Sequence, residues 1–497
     1  MIVKKSKTKG RSNGRPFLFS KALYLQIAIM SIGQKIKTIL TVALLSVSAF
    51  SYAQRSNCYW VRFAGKNDSP YSVKRPWEYL SLRAIERRAK YGIKVDSTDL
   101  PVNPAYVDTL RSCGFVVLHT SRWMNGATIM PTANADFVRL RRNKFVESVE
   151  CTLDRQFVVE HSDWDRIRKY PDYPVPEANN GYGNAYDQIK MLGGDWLHRQ
   201  GFTGEGVRIA VIDGGFFNVD GVRAYSHVWN GGRLIDVVDL MPGRPDVFNG
   251  NPHGGQVLSV MAGVDDGRFV GTAPDASYML LRSEDDRYEA PVEMDNFIAA
   301  LEIADSAGVD VITASLGYSS FDDGVNGIDI DKLDGAHYRI SIAEGMAVKK
   351  GIFVVNSVGN KGATAWRTIT VPSDAKGVMT VGAVGRAGAR APFSSYGPTA
   401  DGRFAPLVCA LGRRTAVLNH RGEPSYNSGT SLAAPLVAGL SACLLQAFSS
   451  LSPAQLTDAI ISTASKASSP DDEVGYGVAD FHAAYLYIQK KYFGANK

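Results

Sequence analysis

The sequence predicts an α/β protein in which a small α/β unit precedes a larger, mainly parallel sheet with helices on both faces. Two observations support this fold class. Residues 55–160 interleave short strands with charged helices. From about residue 186, Val- and Ile-rich runs alternate with helical segments, the pattern of strand–helix–strand units whose sheet is buried on both faces. A chain of 497 residues is long enough for both parts.

The elements of the two parts follow from these patterns. In the small unit we expect strands at 58–64, 115–119 and 127–130, a last strand from about Val146, and helices at 78–91, 105–113 and 136–142. In the larger part we expect strands at 207–212, 277–281, 309–314, 352–355 and 378–381, with helices such as 293–307 and 340–349.

A proline-rich stretch separates the two parts. Residues 170–183 hold three prolines and two glycines, so this segment packs poorly and is open to proteases. The predicted division is therefore a leader at 1–53, a small domain at 54–160, a linker at 161–185 and a large domain at 186–497.

The leader has the features of a secretory signal. Lys35 and Lys37 precede an apolar run at 39–50, and Ser51-Tyr52-Ala53, a small-x-small cleavage pattern, follows it. The run is too short to span a bilayer, so we expect cleavage between Ala53 and Gln54 and no stable membrane span afterwards. Gln54 stands where a lipid-anchored protein would have Cys. Met30 lies in the usual starting place, so the true start is expected there.

Composition and charge exclude several classes. A hydrophobic share of 45% with 21% charged residues excludes a mainly disordered chain, and no run of 18 apolar residues indicates a polytopic membrane protein. The formal net charge is +9 over residues 1–53, +6 over 54–160 and −9 over 161–497. Because the largest part is acidic, we expect no nucleic-acid partner.

Neither the cysteines nor the acidic residues predict a required cofactor. The five cysteines form no CxxC pair and no zinc-spaced cluster, and Cys443 in an apolar helical run reads as a small buried hydrophobe. One acidic stretch does not match the spacing of an EF-hand loop, which favours a solvated loop over a structural Ca²⁺ site; it contains Asp322, Asp323, Asp329, Asp331 and Asp334. We expect no metal at the catalytic residues.

Three segments place chemically active side chains at the edges of predicted elements. Asp213 directly follows the strand at 207–212, at the carboxyl edge where parallel sheets carry their active groups. His253 precedes two glycines and then a helix. Ser431 lies at the start of another helix, where free backbone N–H groups point toward an anion.

Each of these residues alone has an ordinary structural interpretation. An Asp after a strand is often an ion-pair partner, a lone His is more often structural, and a Ser at a helix start is usually an N-cap. Together they supply an acid, a base and a nucleophile in the order Asp, His, Ser on one α/β domain. That order is one of several convergent solutions to acyl transfer.

The motifs around these residues resemble those of the subtilisin-like serine proteases, the subtilases. The resemblance spans about residues 186–486, and it rests on five motifs, of which the serine motif is highly specific. They are Val211-Ile-Asp213-Gly-Gly, His253-Gly-Gly-Gln-Val, Ser315-Leu316-Gly317, Val358-Gly359-Asn360 and Ser428-Gly-Thr-Ser431-Leu-Ala-Ala-Pro435.

The resemblance implies a subtilisin-like fold and a role for each motif. Asp213, His253 and Ser431 would be the catalytic triad. Asn360 and the backbone N–H of Ser431 would form the oxyanion hole, and Ser315, Leu316 and Gly317 would bind the substrate backbone. The small domain would be a ferredoxin-like propeptide that acts as an intramolecular inhibitor.

Two departures from the family pattern keep a rival interpretation open. Gly214 stands where the family usually has Ser or Thr, and Gly255 stands where it usually has Thr. We expect an exported serine endopeptidase, secreted or periplasmic, that hydrolyses peptide bonds. The alternative is a pseudoprotease or peptide-binding protein on the same fold.

Overall fold

The small domain consists of an antiparallel sheet with helices packed against it. A computed structural model describes residues 57–154, 156, 181–242, 246–324 and 326–494. The predicted leader and most of the predicted linker lie outside them. The elements of the small domain are β1 (Cys58–Phe63), α1 (Leu82–Lys90), α2 (Pro104–Ser112), β2 (Phe115–Ser121), β3 (Gly126–Pro131), α3 (Phe137–Arg141) and β4 (Val146–Leu153).

The strand order of this sheet is β2-β3-β1-β4, with antiparallel neighbours throughout. This is the order of the ferredoxin-like fold, as expected. Polar caps fix where the helices begin: Ser81 accepts a hydrogen bond from the Ala84 amide before α1, and Asn103 caps α2 just ahead of Pro104. The first helix therefore starts at Leu82 and not at residue 78, since Pro76–Glu78 forms a separate 3-10 turn.

The large domain is built on seven parallel strands in the order β13-β12-β11-β10-β5-β9-β6. These are β5 (Arg208–Asp213), β6 (Leu234–Asp239), β9 (Ser277–Arg282), β10 (Val311–Ala314), β11 (Phe353–Ser357), β12 (Met379–Val384) and β13 (Val408–Leu411). Two small antiparallel pairs accompany them, β7 (Val264–Asp265) with β8 (Phe269–Val270) and β14 (Thr415–Leu418) with β15 (Pro424–Asn427).

Helices connect and cover these strands. They are α4 (Tyr186–Met191), α5 (Gly194–Arg199), α6 (Ser226–Asn230), α7 (His253–Ala262), α8 (Pro291–Ala307), α9 (Arg339–Lys349), α10 (Thr430–Ala447), α11 (Pro453–Thr463) and α12 (Phe481–Tyr492). Of the helices described, α10 alone is long and apolar enough to cross a membrane by length and composition. Most of it, Cys443 included, is buried in the protein core.

Both faces of the parallel sheet are buried. Along β5, Ile209 and Val211 belong to the core that contains α7 and α10, whereas Ala210 and Ile212 belong to the core that contains α8 and α9. This alternation confirms the predicted parallel sheet with helices on both faces. It also brings the carboxyl ends of β5, β9, β10 and β11 side by side at one edge of the sheet.

Candidate active site

The predicted acid, base and nucleophile form one hydrogen-bonded chain at this edge. Nδ1 of His253 lies 2.8 Å from Oδ1 and 3.0 Å from Oδ2 of Asp213. On the other side of the ring, Nε2 lies 3.0 Å from Oγ of Ser431. Asp213 is fully buried, while the His253 side chain is partly exposed. The imidazole can therefore take a proton from the serine hydroxyl while the carboxylate holds its other nitrogen.

Local sequence explains how β5 and α7 come close enough for this contact. Asp213 is the last residue of β5, and the Gly214 amide donates to its Oδ1 at 2.8 Å. His253 is the first residue of α7, and its amide donates to Oδ1 of Asn251. A Cβ at Gly254 would lie 2.9 Å from Cβ of Asp213, so only glycine lets the helix start approach the end of the strand.

The predicted nucleophile lies in the first turn of a long helix. Ser431 is the second residue of α10, and Pro435 lies four residues further along the same helix. A proline has no N–H, so the Ser431 carbonyl loses its usual helical partner. The Ser315 hydroxyl donates to that carbonyl at 2.8 Å. The segment predicted to bind the substrate is thereby tied to the turn that carries the nucleophile.

Asn360 lies on the other side of this turn. Its amide oxygen accepts from the Thr430 amide at 2.9 Å and from the Thr430 hydroxyl at 3.1 Å. A Cβ at Gly429 would lie 3.7 Å from Nδ2 of Asn360 and 2.7 Å from Oγ of Ser431. The amide nitrogen and the serine hydroxyl are therefore both close to Gly429. With its oxygen engaged, the side chain presents its N–H donors beside the nucleophile.

The charges around His253 suit a general base. Burial lowers the pKa of His253, but the Asp213 carboxylate, through its charge and its hydrogen bond, raises it above the ordinary value, and Glu284 raises it further. A histidine with a raised pKa is a stronger base, and the Asp213 carboxylate stabilises the cation that forms when the ring takes a proton.

Comparisons with known proteins show which family this chain belongs to. The family model of the subtilase family, peptidase S8, matches residues 204–477, more than half of the chain. The chain belongs to the subtilase family. A second model, the peptidase S8 propeptide domain of Bacteroidota, matches residues 58–164. The boundaries predicted from the sequence alone stay predictions.

Individual relatives have low sequence identity to this chain, but each alignment covers more than half of it. Subtilisin NAT of Bacillus subtilis subsp. natto is 29% identical over 329 residues, which cover 65% of this chain and 76% of that protein. Mycosin-1 of Mycobacterium tuberculosis is 32% identical over 329 residues, which cover 57% of this chain and 70% of that protein. Among solved structures, the MycP3 protease from the type VII (ESX-3) secretion system covers 66% of this chain and 94% of its own at 22% identity, with a TM-score of 0.49. This subtilase is a serine-type endopeptidase with an N-terminal propeptide domain.

The propeptide domain of this subtilase contacts α8 through a buried cluster of charges. Asp305, which is fully buried, forms ion pairs with Arg87, Arg88 and Arg122 of the propeptide domain. Burial would raise the pKa of Asp305, but the three guanidinium groups lower it below the ordinary value. One turn earlier, Glu302 accepts hydrogen bonds from the Ser121 hydroxyl and from the backbone amides of Arg122 and Trp123.

The last strand of the propeptide domain ends close to the start of α8. Leu153 of β4 packs with Tyr288, Ala290 and Val292 in a small apolar cluster. The chain beyond, residues 157–180, lies outside the described residues. The predicted course of this segment toward Ser315–Gly317 therefore stays a prediction.

The remaining predicted sites are placed as follows. Leu316 and Gly317 continue directly from β10, and the backbone of the next residue, Tyr318, pairs with Val371. The carboxylates of the acidic stretch bond mainly to nearby backbone, as Asp329 does to the Asp331 amide. Among the described residues, no group of three or more His, Cys, Asp or Glu side chains is placed to hold a metal ion. The five cysteines, all of them described, form no disulfide.

Sequence reasoning missed one acidic residue at this edge. Glu284 follows β9 by two residues, and β9 is the strand beside β5. The rule that led to Asp213, an acid just beyond the end of a parallel strand, applies equally to Glu284. Glu284 did not stand out in the sequence because it lies in Ser283-Glu284-Asp285-Asp286, whose composition is typical of a polar surface loop.

Proposed function

We propose that this subtilase is an exported endopeptidase that cleaves peptide bonds through Asp213, His253 and Ser431 and is made as a precursor inhibited by its own propeptide domain. The observation that carries the proposal is the His253 ring, which bridges the Asp213 carboxylate at 2.8 Å and the Ser431 hydroxyl at 3.0 Å. No cofactor enters the proposed reaction.

In the proposed reaction, Ser431 Oγ attacks the scissile carbonyl while His253 Nε2 takes its proton. The imidazolium then protonates the leaving amine, and Asp213 orients the ring and stabilises its charge. Asn360 and the Ser431 backbone N–H stabilise the oxyanion. Ser315–Gly317 holds the substrate as an added strand, which is a common way to bind extended peptides. A water molecule then attacks the acyl-enzyme by the same steps, and the acyl group is released from Ser431.

Inhibition by the propeptide domain is supported by where this domain lies. Its arginines reach Asp305 on α8, and its last strand ends against residues 288–292, at the start of the same helix. Export is supported by the charged and apolar leader, and cleavage near Ala53-Gln54 would release the protein to the periplasm or beyond.

The first prediction tests the nucleophile. A fluorophosphonate probe labels a serine only when a neighbouring base activates it, so the product that the full-length chain yields on losing its propeptide domain should be labelled, and Ser431→Ala should not be. The Ser441→Ala variant is the matched control, since Ser441 is a buried serine of the same helix and should leave labelling unchanged. Labelling that persists in Ser431→Ala, or no labelling of a wild type freed of its propeptide domain, would favour the peptide-binding alternative.

A further inference from the structure

Glu284 lies beside the triad because two neighbouring strands are in register. In the β5–β9 pair, Arg282 stands opposite Asp213. One residue further, the Ser283 amide donates to the backbone carbonyl of Asp213 at 3.1 Å. The next residue, Glu284, therefore lies close to the end of β5.

The side chain of Glu284 lies against the position where this subtilase lacks a hydroxyl. A Cβ at Gly214 would lie 3.8 Å from Cβ and 3.9 Å from Oε2 of Glu284, which is ordinary van der Waals distance. The other carboxyl oxygen, Oε1, accepts a hydrogen bond from the Tyr318 hydroxyl at 2.6 Å. Tyr318 is fully buried and directly follows the Ser315–Gly317 segment, so the carboxyl is held between the triad and the predicted substrate strand.

Charged groups on every side act on this carboxyl. Burial and the Glu289 charge raise the pKa of Glu284 to about 8, against the opposing effect of the Tyr318 hydrogen bond. Asp213 raises this pKa as well, and a protonated His253 lowers it. The titratable groups around the carboxyl are Asp213 from β5, His253 from α7, Glu289 from the following loop, Glu293 from α8 and Tyr318, while Arg282 from β9 donates to the backbone carbonyl of Glu284.

We infer that Glu284 is a positioning residue for proton transfer. When His253 becomes an imidazolium, the Glu284 carboxylate adds its negative charge to that of Asp213, and both charges stabilise the cation. This inference rests on the proposed triad. In this role Glu284 acts through His253.

The sign of the pH effect follows from the raised pKa. Below that pKa Glu284 is a neutral acid and contributes no charge. As the pH rises through it, the carboxylate forms and stabilises the imidazolium of the transition state, so the rate of attack by Ser431 increases. The wild type should therefore show two rises with pH, one as His253 loses its proton and a second as Glu284 ionises.

The test measures the second-order rate constant for labelling of Ser431 by a fluorophosphonate across about pH 5 to pH 10, on protein expressed as the full chain. This readout needs no knowledge of the peptide preference. Glu284→Gln keeps the size of the side chain and an oxygen for Tyr318, but it cannot ionise. We expect it to react like the wild type at acidic pH and to fall behind on the order of ten-fold at alkaline pH.

Tyr318→Phe is the second variant. It removes the hydrogen bond that lowers the pKa of Glu284, so the alkaline rise should move to higher pH and keep its height. Parallel pH profiles for the wild type and Glu284→Gln would overturn the inference, whether the rates are equal or uniformly reduced, because a merely structural role slows the reaction at every pH. A wild type that does not react at all would instead refute the proposed triad.

Discussion

Asn360 is fixed by its amide oxygen and leaves its amide nitrogen beside Ser431. If the nitrogen donates to the oxyanion, Asn360→Ala should lower kcat by about 10²–10³, a magnitude carried over from subtilisin, and change KM little. The reason is that the donor acts mainly in the transition state. Steady-state kinetics with a peptide substrate measures both constants.

Thr430→Val is the matched control for this variant. It removes only the hydroxyl that donates to the Asn360 oxygen, and it leaves the backbone donor of the same residue in place. Its kcat should stay close to that of the wild type. If Asn360→Ala changed only KM, Asn360 would belong to ground-state binding.

The two unusual glycines have different structural surroundings, which the sequence alone does not distinguish. A Cβ at Gly255 would lie 2.9 Å from Cγ2 of Val219, which is buried, so a larger residue there requires the packing to shift. Next to Gly214, in contrast, the nearest atoms are 3.7–3.9 Å from such a Cβ. The motifs predicted Asp213, His253 and Ser431 because they are contiguous in sequence. Glu284 and Val219 act through contacts that only the fold creates.

Among the elements, α8 joins the two domains through a buried cluster of charges. Asp305 near its end faces Arg87, Arg88 and Arg122, all of them buried or nearly so. Asp305→Asn would leave these cations without their shared carboxylate, and losing one partner of a buried pair costs about 3–5 kcal/mol. In the Ser431→Ala precursor, which is expected to stay intact, we expect a clearly lower melting temperature by calorimetry.

The control for this element is an aspartate of similar chemistry on the surface. Asp108 pairs with Arg111 at 3.1 Å, and both side chains are largely exposed. Exposed pairs contribute little, so Asp108→Asn should leave the melting temperature nearly unchanged. Equal effects of the two substitutions would mean that the buried cluster does not hold the domains together.

Elements with strong periodicity were predicted and weaker ones were missed. The strand predicted at 207–212 is β5, one residue later, because its run of apolar residues is buried on both faces. The strand β6 escaped notice because it lies at the edge of the sheet, where it is only half-buried and carries Asp236 and Asp239. β13 and the β14–β15 hairpin are four-residue strands whose pairing depends on distant partners, which local patterns do not reveal.

At the scale of the whole molecule, charge is divided between the domains. Residues 54–160 carry a net +6 and residues 161–497 a net −9, so long-range attraction should bring the two parts together quickly. The contacts run in both directions. Arginines of the propeptide domain meet Asp305, while Lys350 of the large domain contacts Asp99 of the propeptide domain at 2.9 Å. In one set of ion pairs the propeptide domain supplies the cation, and in the other the large domain supplies it. Two such sets fix the orientation of docking better than one positive patch that faces one negative patch.

The last prediction concerns maturation. If the propeptide domain inhibits its own protease, Ser431 should cut the proline- and glycine-rich connector, and the propeptide should separate from the large domain. Expressed side by side, the wild type should lose a fragment that ends between about residues 160 and 185, while Ser431→Ala keeps it; intact mass and N-terminal sequencing of the products measure both. Mature wild type is then added to the Ser431→Ala precursor. If the precursor is cut, cleavage can occur between molecules, and if it stays intact, cleavage occurs within one molecule. A wild type that labels with fluorophosphonate yet keeps residues 54–185 attached would show that this domain is a permanent accessory and not a propeptide that is removed.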